Sequence, residues 1–291
     1  MRELDVTTPD GRTLRVLDAG PAGGAPVLVH NGTPNSRLLY GHDVERAQEQ
    51  GVRMISYDRP GYGGSTRLEG RSVADCVVDV QAIAAALQIE RLAVWGISGG
   101  GPHALACAAL LEDLVPAVGV LGSIAPWGAE GLDYFDGMGE LNVQDIKLEL
   151  EDKPAARAKC EDDREAMLSA DAAGLTEQLK SLLAPVDAAA MSGELGQYLV
   201  DCVQDGLAPG ADGWWDDAEA QLSPWGFELS AIRTPVLVMH GRHDRFVPFA
   251  HGQWLAAQIP GVEAHLSEDD GHLTLTAHHL DRLHDWLIAR I

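Results

Sequence analysis

Trp95-Gly96-Ile97-Ser98-Gly99-Gly100-Gly101 is the most informative run in the chain. Leu92 to Ile97 is short, apolar and rich in β-formers, as a buried strand requires, and the small residues from Pro102 to Leu111 have helical composition. Ser98 therefore stands where a strand turns into a helix. A turn that sharp drives the serine backbone into a strained region, and only small neighbours let the strand end and the helix start pass so closely. Gly96 and Gly100 supply them, in the spacing G-x-S-x-G. A serine at such a corner presents its hydroxyl away from the chain, beside the unpaired N–H groups of the next helix, where an oxyanion would form. Ser98 is thus the candidate nucleophile, and an incidental serine in a glycine-rich turn is the simpler alternative.

Toward the N-terminus, Val73, Val77, Val80, Ala84 and Leu87 repeat at helical spacing behind a Ser72/Asp75 capping pattern. Val52 to Tyr57 reads as a strand leaving into Asp58-Arg59-Pro60-Gly61-Tyr62-Gly63-Gly64-Ser65. Pro26 to His30 reads as another, leaving into Asn31-Gly32-Thr33-Pro34-Asn35-Ser36-Arg37. Gly32 allows this loop to approach another backbone and Pro34 stiffens it, so it offers a second oxyanion donor. Leu4 to Thr8 and Thr13 to Leu17, around the turn Pro9-Asp10-Gly11, form an antiparallel hairpin. Strands alternating with helices predict an α/β fold with a mostly parallel sheet, whose ligands sit beyond the carboxyl ends of the strands.

Toward the C-terminus, Ala117 to Leu121 adds a strand and then the alternation stops. Amphipathic helical segments follow, including Asn142 to Leu150, Arg164 to Met167 and Leu175 to Leu183, without a convincing strand. Strands resume at Pro235 to His240. The division expected is a first core part at 1–125, a helical cap at 126–229 and a second core part at 230–291. The cap holds Trp127, Tyr134, Phe135, Met138, Trp214, Trp215, Trp225 and Phe227, which serve packing or an apolar pocket; Asp216 and Asp217 are expected to be solvated. The strand ending at His240 runs into Gly241-Arg242-His243-Asp244-Arg245-Phe246-Val247-Pro248, and Val262 to Leu266 precedes Ser267-Glu268-Asp269-Asp270-Gly271-His272 and a terminal helix from Leu273.

Composition removes several classes of function. The chain has 291 residues, 46% of them hydrophobic, and no uninterrupted apolar stretch long enough to span a bilayer. A formal charge of −23 repels phosphate backbones and anionic membrane surfaces, so neither nucleic acid nor membrane is an expected partner. Cys76, Cys107, Cys160 and Cys202 lack C-x-x-C pairing, which fits reduced thiols rather than disulfides or a zinc site. The opening Met1-Arg2-Glu3-Leu4-Asp5 has no basic-then-apolar leader pattern, and the location expected is the cytoplasm.

A serine hydroxyl needs a base to take its proton, and the base needs a carboxylate to hold its tautomer. Ser98, Asp244 and His272 fall in that order at three separate strand exits. His265, His278, His279, His284 and His103 lie inside predicted elements and read as surface or packing residues; Asp269 and Asp270 read as solvated loop acids.

Together, Gly-Ile-Ser-Gly-Gly, Asp-Arg-Pro-Gly-Tyr-Gly-Gly-Ser, Gly-Arg-His-Asp-Arg-Phe-Val-Pro and Asp-Gly-His resemble the α/β-hydrolase superfamily, specifically its capped serine hydrolases. The resemblance spans about residues 12 to 291 apart from the variable cap. It implies Ser98 as nucleophile, His272 as base, Asp244 as its partner, and the backbone N–H groups of Thr33 and Gly99 as the oxyanion hole. Relatives often read His-Gly-x-Pro where this chain reads Asn31-Gly32-Thr33-Pro34, so Gly32 competes with Thr33 as donor. The activity implied is hydrolysis of an ester or lactone of a small neutral molecule, with no metal or organic cofactor. Alternatives on the same fold are an aminopeptidase or amidase of the proline iminopeptidase type, a carbon–carbon bond hydrolase, and a small-molecule receptor. A serine at position 98 disfavours dehalogenase and epoxide hydrolase chemistry, which use a carboxylate nucleophile. Oligomeric state is open.

Overall fold

The structure is a computed structural model that describes residues 1–191 and 193–291. Eight strands form one sheet in the order β1-β2-β4-β3-β5-β6-β7-β8. They are β1 (Arg2–Thr7), β2 (Thr13–Ala19), β3 (Ala25–His30), β4 (Val52–Tyr57), β5 (Ala93–Ile97), β6 (Val118–Leu121), β7 (Val236–Gly241) and β8 (Glu263–Ser267). The β1–β2 hairpin is antiparallel and β2 joins β4 antiparallel, whereas β4, β3, β5, β6, β7 and β8 run parallel.

Period-two alternation splits the buried side chains between two layers. Leu28, Ile55, Val94, Val118, Val120, Val236 and Val238 pack on one face with α2 (Cys76–Ala86), α3 (Gly101–Leu110) and α10 (Phe249–Gln258). Val27, Val29, Met54, Trp95, Leu121, Leu237 and Met239 pack on the other with α1 (Gly41–Glu49) and α11 (His272–Ile288). Burial on both faces is why the central strands read as continuous apolar runs.

The corner after β5 is as tight as its composition requires. A Cβ on Gly96 would lie 2.3 Å from the Gly100 carbonyl oxygen, and one on Gly100 would lie 2.0 Å from that of His30. Between them a single 3₁₀ turn, Ser98–Gly100, leads into α3 one residue earlier than composition suggests.

From β6 to β7 the chain is helical: α4 (Glu140–Glu151), α5 (Lys153–Ser169), α6 (Ala172–Gln178), α7 (Pro185–Ala190), α8 (Glu194–Leu207) and α9 (Asp212–Leu222). Tyr134, Met138, Trp214 and Trp215 line a cavity between this segment and the strand exits, while Trp225 and Phe227 pack into the main core. Among the described residues no helix is long and apolar enough to cross a membrane.

Candidate active site

Ser98 takes φ 55°, a left-handed conformation costly for a residue with a side chain. Its surroundings over-determine that geometry, because β5 behind it and α3 ahead are both buried. Ser98, Thr33, Gly99, Phe246 and Val247 line one end of a cavity of about 380 Å³. The body of the cavity is largely apolar, with Ile124, Leu141, Ile146 and Leu182 among its walls. Lys159 sits in the wall between Asp145 and Asp163, 2.9 and 2.5 Å away, so its charge is already matched.

Asp244 and His272 meet as the sequence pattern predicts. His272 Nδ1 lies 2.6 Å from Asp244 Oδ2, and both side chains are buried. The Val247 amide donates to Asp244 Oδ1 at 2.8 Å, which orients the carboxylate. The Phe246 ring stacks on the imidazole at 4.7 Å between centroids. Burial pushes the His272 pKa down, but the Asp244 charge and hydrogen bond, with a smaller contribution from Asp187, bring it above the ordinary imidazole value. Ser98 Oγ makes no hydrogen bond among the described residues, so the serine–histidine leg is open here. Such contacts often tighten only when substrate is bound.

Position differs from expectation in one respect: His272 is the first residue of α11 rather than part of the loop before it. Helical geometry thus orients the imidazole. Thr33 lines the cavity with Ser98 and Gly99, and Gly32 packs close to Ser98, where a Cβ would be 3.3 Å from Ser98 Cβ. Among the described residues no backbone carbonyl accepts from the Thr33 N–H. The same holds for the Gly32 N–H, so the free amides alone do not separate the two positions.

Two expectations about acids are overturned. Asp217 is fully buried, not solvated: Arg59 donates to it at 2.6 Å, Arg71 at 2.6 Å and Tyr62 Oη at 2.9 Å. Burial alone would raise its pKa, yet the two guanidiniums hold it far below the usual carboxylate range. Asp216 is buried as well and takes both branches of Arg67 at 2.8 and 2.9 Å. Asp270 is likewise buried, with His278 Nδ1 at 2.6 Å and His279 Nε2 at 2.7 Å, so it belongs to those histidines and not to His272.

Arg59 joins Asp217 to the loop that follows β3. Its guanidinium also donates to the Asn31 carbonyl, to the Gly32 carbonyl at 3.3 Å and to Thr33 Oγ1 at 3.1 Å. The Asp-Arg-Pro-Gly run marks a loop near the site, but nothing local in the sequence reveals that its arginine reaches α9. Asp187 escaped notice for the same reason: an aspartate in a helical segment carries no local signal of a distant partner.

These features match known proteins. A family model for the alpha/beta hydrolase fold covers residues 25–277. The chain belongs to the α/β-hydrolase family. It is 27% identical over 270 residues to the AB hydrolase superfamily protein YisY of Bacillus subtilis, covering 92% of this chain and 91% of that one. It is 26% identical over 294 residues to a 2-hydroxy-6-oxononadienedioate/2-hydroxy-6-oxononatrienedioate hydrolase of Cupriavidus pinatubonensis, covering 92% and 88%. Among solved structures, a thermophilic esterase from Thermogutta terrifontis superposes with TM-score 0.71 at 19% identity, over 99% of this chain and 98% of that one.

Proposed function

We propose that this protein is a serine hydrolase that cleaves an ester or lactone of a small to medium neutral molecule through an acyl-enzyme. The observation that carries the reading is the buried 2.6 Å pair of His272 and Asp244 at the strand exits where Ser98 sits strained beside an apolar cavity. In this reading Ser98 Oγ attacks the carbonyl carbon while His272 Nε2 takes its proton. The N–H groups of Thr33 and Gly99 stabilise the oxyanion, and His272 returns the proton to the leaving oxygen. Water, deprotonated by the same imidazole, then releases the acid and restores Ser98. The segment 126–229 acts as the cap that covers the substrate, and a volume of about 380 Å³ suits a medium acyl or aryl group. Four free cysteines fit a cytoplasmic enzyme.

Mixing the enzyme with p-nitrophenyl esters of graded acyl length is expected to give a burst of nitrophenol equal to the enzyme concentration. Release from esters should exceed release from alanine and proline p-nitroanilides by orders of magnitude. Absence of a burst and of turnover with every ester rejects the reading. A carbon–carbon bond hydrolase is the second reading, favoured by the similarity to the Cupriavidus enzyme, and turnover of a vinylogous diketone without ester turnover selects it.

The pH profile provides a further check. His272 must be neutral to accept a proton, and its pKa lies above the ordinary value of about 6.5. kcat/KM is therefore expected to fall on the acid side with a midpoint above that value; a midpoint well below it counts against His272 as the base.

A further inference from the structure

The base has a support that comes from outside the hydrolase core. Asp187, on α7, is completely buried. Its carboxylate accepts the backbone N–H of His272 at 2.8 Å, of Leu273 at 2.9 Å and of Thr274 at 3.1 Å, and the Thr274 hydroxyl at 3.2 Å. Those three amides are the first turn of α11, which no preceding helical carbonyl can satisfy. A helix usually solves this with a side chain at its own N-cap. Here that position is Gly271, where a Cβ would come within 2.2 Å of Asp187 Oδ2. The cap is instead supplied across 85 residues of sequence, from the inserted helices. No lysine or arginine pairs with Asp187 among the described residues. Its carboxylate lies at the helix N-terminus, beside the residue whose imidazole begins it.

We propose that Asp187 is a positioning residue for His272: it holds the first turn of α11 in place, and the base is competent only while α7 is docked. Substrate cover and proton acceptor are then one mechanical unit. Loss of the Asp187 carboxylate frees three amides and the rotation of the residue that carries the imidazole. The inference rests on the reading of His272 as the base.

Three ionisable groups face His272: Asp244 and His240 from β7 and its exit loop, and Asp187 from α7. His240 is buried, and desolvation lowers its pKa, so it stays neutral and contributes no charge near neutral pH. Asp244 and Asp187 both favour the imidazolium. Removing the Asp187 charge therefore makes His272 easier to deprotonate, an effect of proximity that is separate from the placement of the ring; kcat at a pH where the imidazole is neutral in both forms reads the placement.

The test follows the His272 ring signal by NMR across pH in the wild type, Asp187→Asn and Thr274→Val, alongside kcat and KM for an ester substrate. Asp187→Asn is expected to lower the pH at which His272 titrates and to reduce kcat about 10- to 100-fold, with KM changed less than about twofold. Thr274→Val keeps the carboxylate, removes one of its four donors and also removes the acceptor of the Gly271 N–H, 2.8 Å away. It is expected to leave the titration unmoved and to lower kcat about fivefold. An unaltered kcat in Asp187→Asn, measured where His272 is neutral in both forms, overturns the proposal, as does an unaltered kcat in Thr274→Val should the first variant not fold. If no ester is turned over by any form, the hydrolase reading fails while the downfield Nδ1–H proton signal of the His272–Asp244 pair still decides the role of Asp187: its loss or broadening in Asp187→Asn supports positioning, and an unchanged signal overturns it.

Discussion

Ser98→Ala is expected to reduce ester turnover about 10⁴- to 10⁶-fold while leaving the fold intact. Alanine removes only the hydroxyl, which makes no hydrogen bond among the described residues, so little stability is at stake. The backbone strain at φ 55° is equally present for alanine. Chemistry, by contrast, loses the atom that forms the acyl-enzyme. What remains is oxyanion stabilisation and binding, which support only slow attack by water. His272→Ala should cost a similar factor. The double variant should be scarcely slower than either single one, because base and nucleophile act as a unit. The check is steady-state hydrolysis of the best ester together with a melting curve for each variant. Retention of more than about one tenth of wild-type turnover by Ser98→Ala, at unchanged melting temperature, rules out the acyl-enzyme.

Asp217→Ala is expected to cost about 3–5 kcal/mol of folding stability. Arg59 and Arg71 have side chains only 2% and 3% exposed, and Asp217 is the buried counter-charge they share. Without it two guanidiniums stay desolvated with carbonyls as their main remaining partners, Asn31 and Gly32 for Arg59 and Pro60 and Gly213 for Arg71. The adjacent Asp216→Ala is expected to cost only about 1 kcal/mol, because its partner Arg67 is one-third exposed and water can solvate it. Urea unfolding of the two variants measures the contrast, and equal losses would contradict it.

The sign with pH is also defined. The folded-state pKa of Asp217 is depressed, so its contribution is complete above the unfolded value of about 4 and is lost as pH falls below it. Stability of Asp217→Ala should accordingly be flatter between pH 5 and 3 than that of the wild type. Loss of Asp217 should also loosen Thr33, whose hydroxyl donates to Asp217 at 3.2 Å and accepts from Arg59 at 3.1 Å, and slow turnover by whatever fraction folds.

The local features of the chain were legible because local physics imposes them. A strand buried on both faces must be apolar, a helix must repeat its apolar face, and a corner with carbonyl oxygens 2.0 to 2.3 Å from a would-be Cβ admits only glycine. The β5–Ser98–α3 elbow, the hairpin, the parallel sheet and the all-helical stretch between β6 and β7 follow from such rules. So does the order Ser98, Asp244, His272, since each stands at a strand exit and parallel strands carry their exits to one edge.

Tertiary structure alone decided which charges are buried and what they hold. Asp216 and Asp217 follow two tryptophans in an acidic stretch and look solvated, yet α9 carries one onto Arg67 and the other onto Arg59 and Arg71. Asp187 has no local mark, yet α7 delivers it to the first turn of the helix that begins with His272. The difference is one of range. Propensity, periodicity and steric fit act between residues a few positions apart and leave their imprint in the order of residues. The pairing of a buried carboxylate with its donors depends on where separate elements come to rest, and the sequence around either partner carries no record of it.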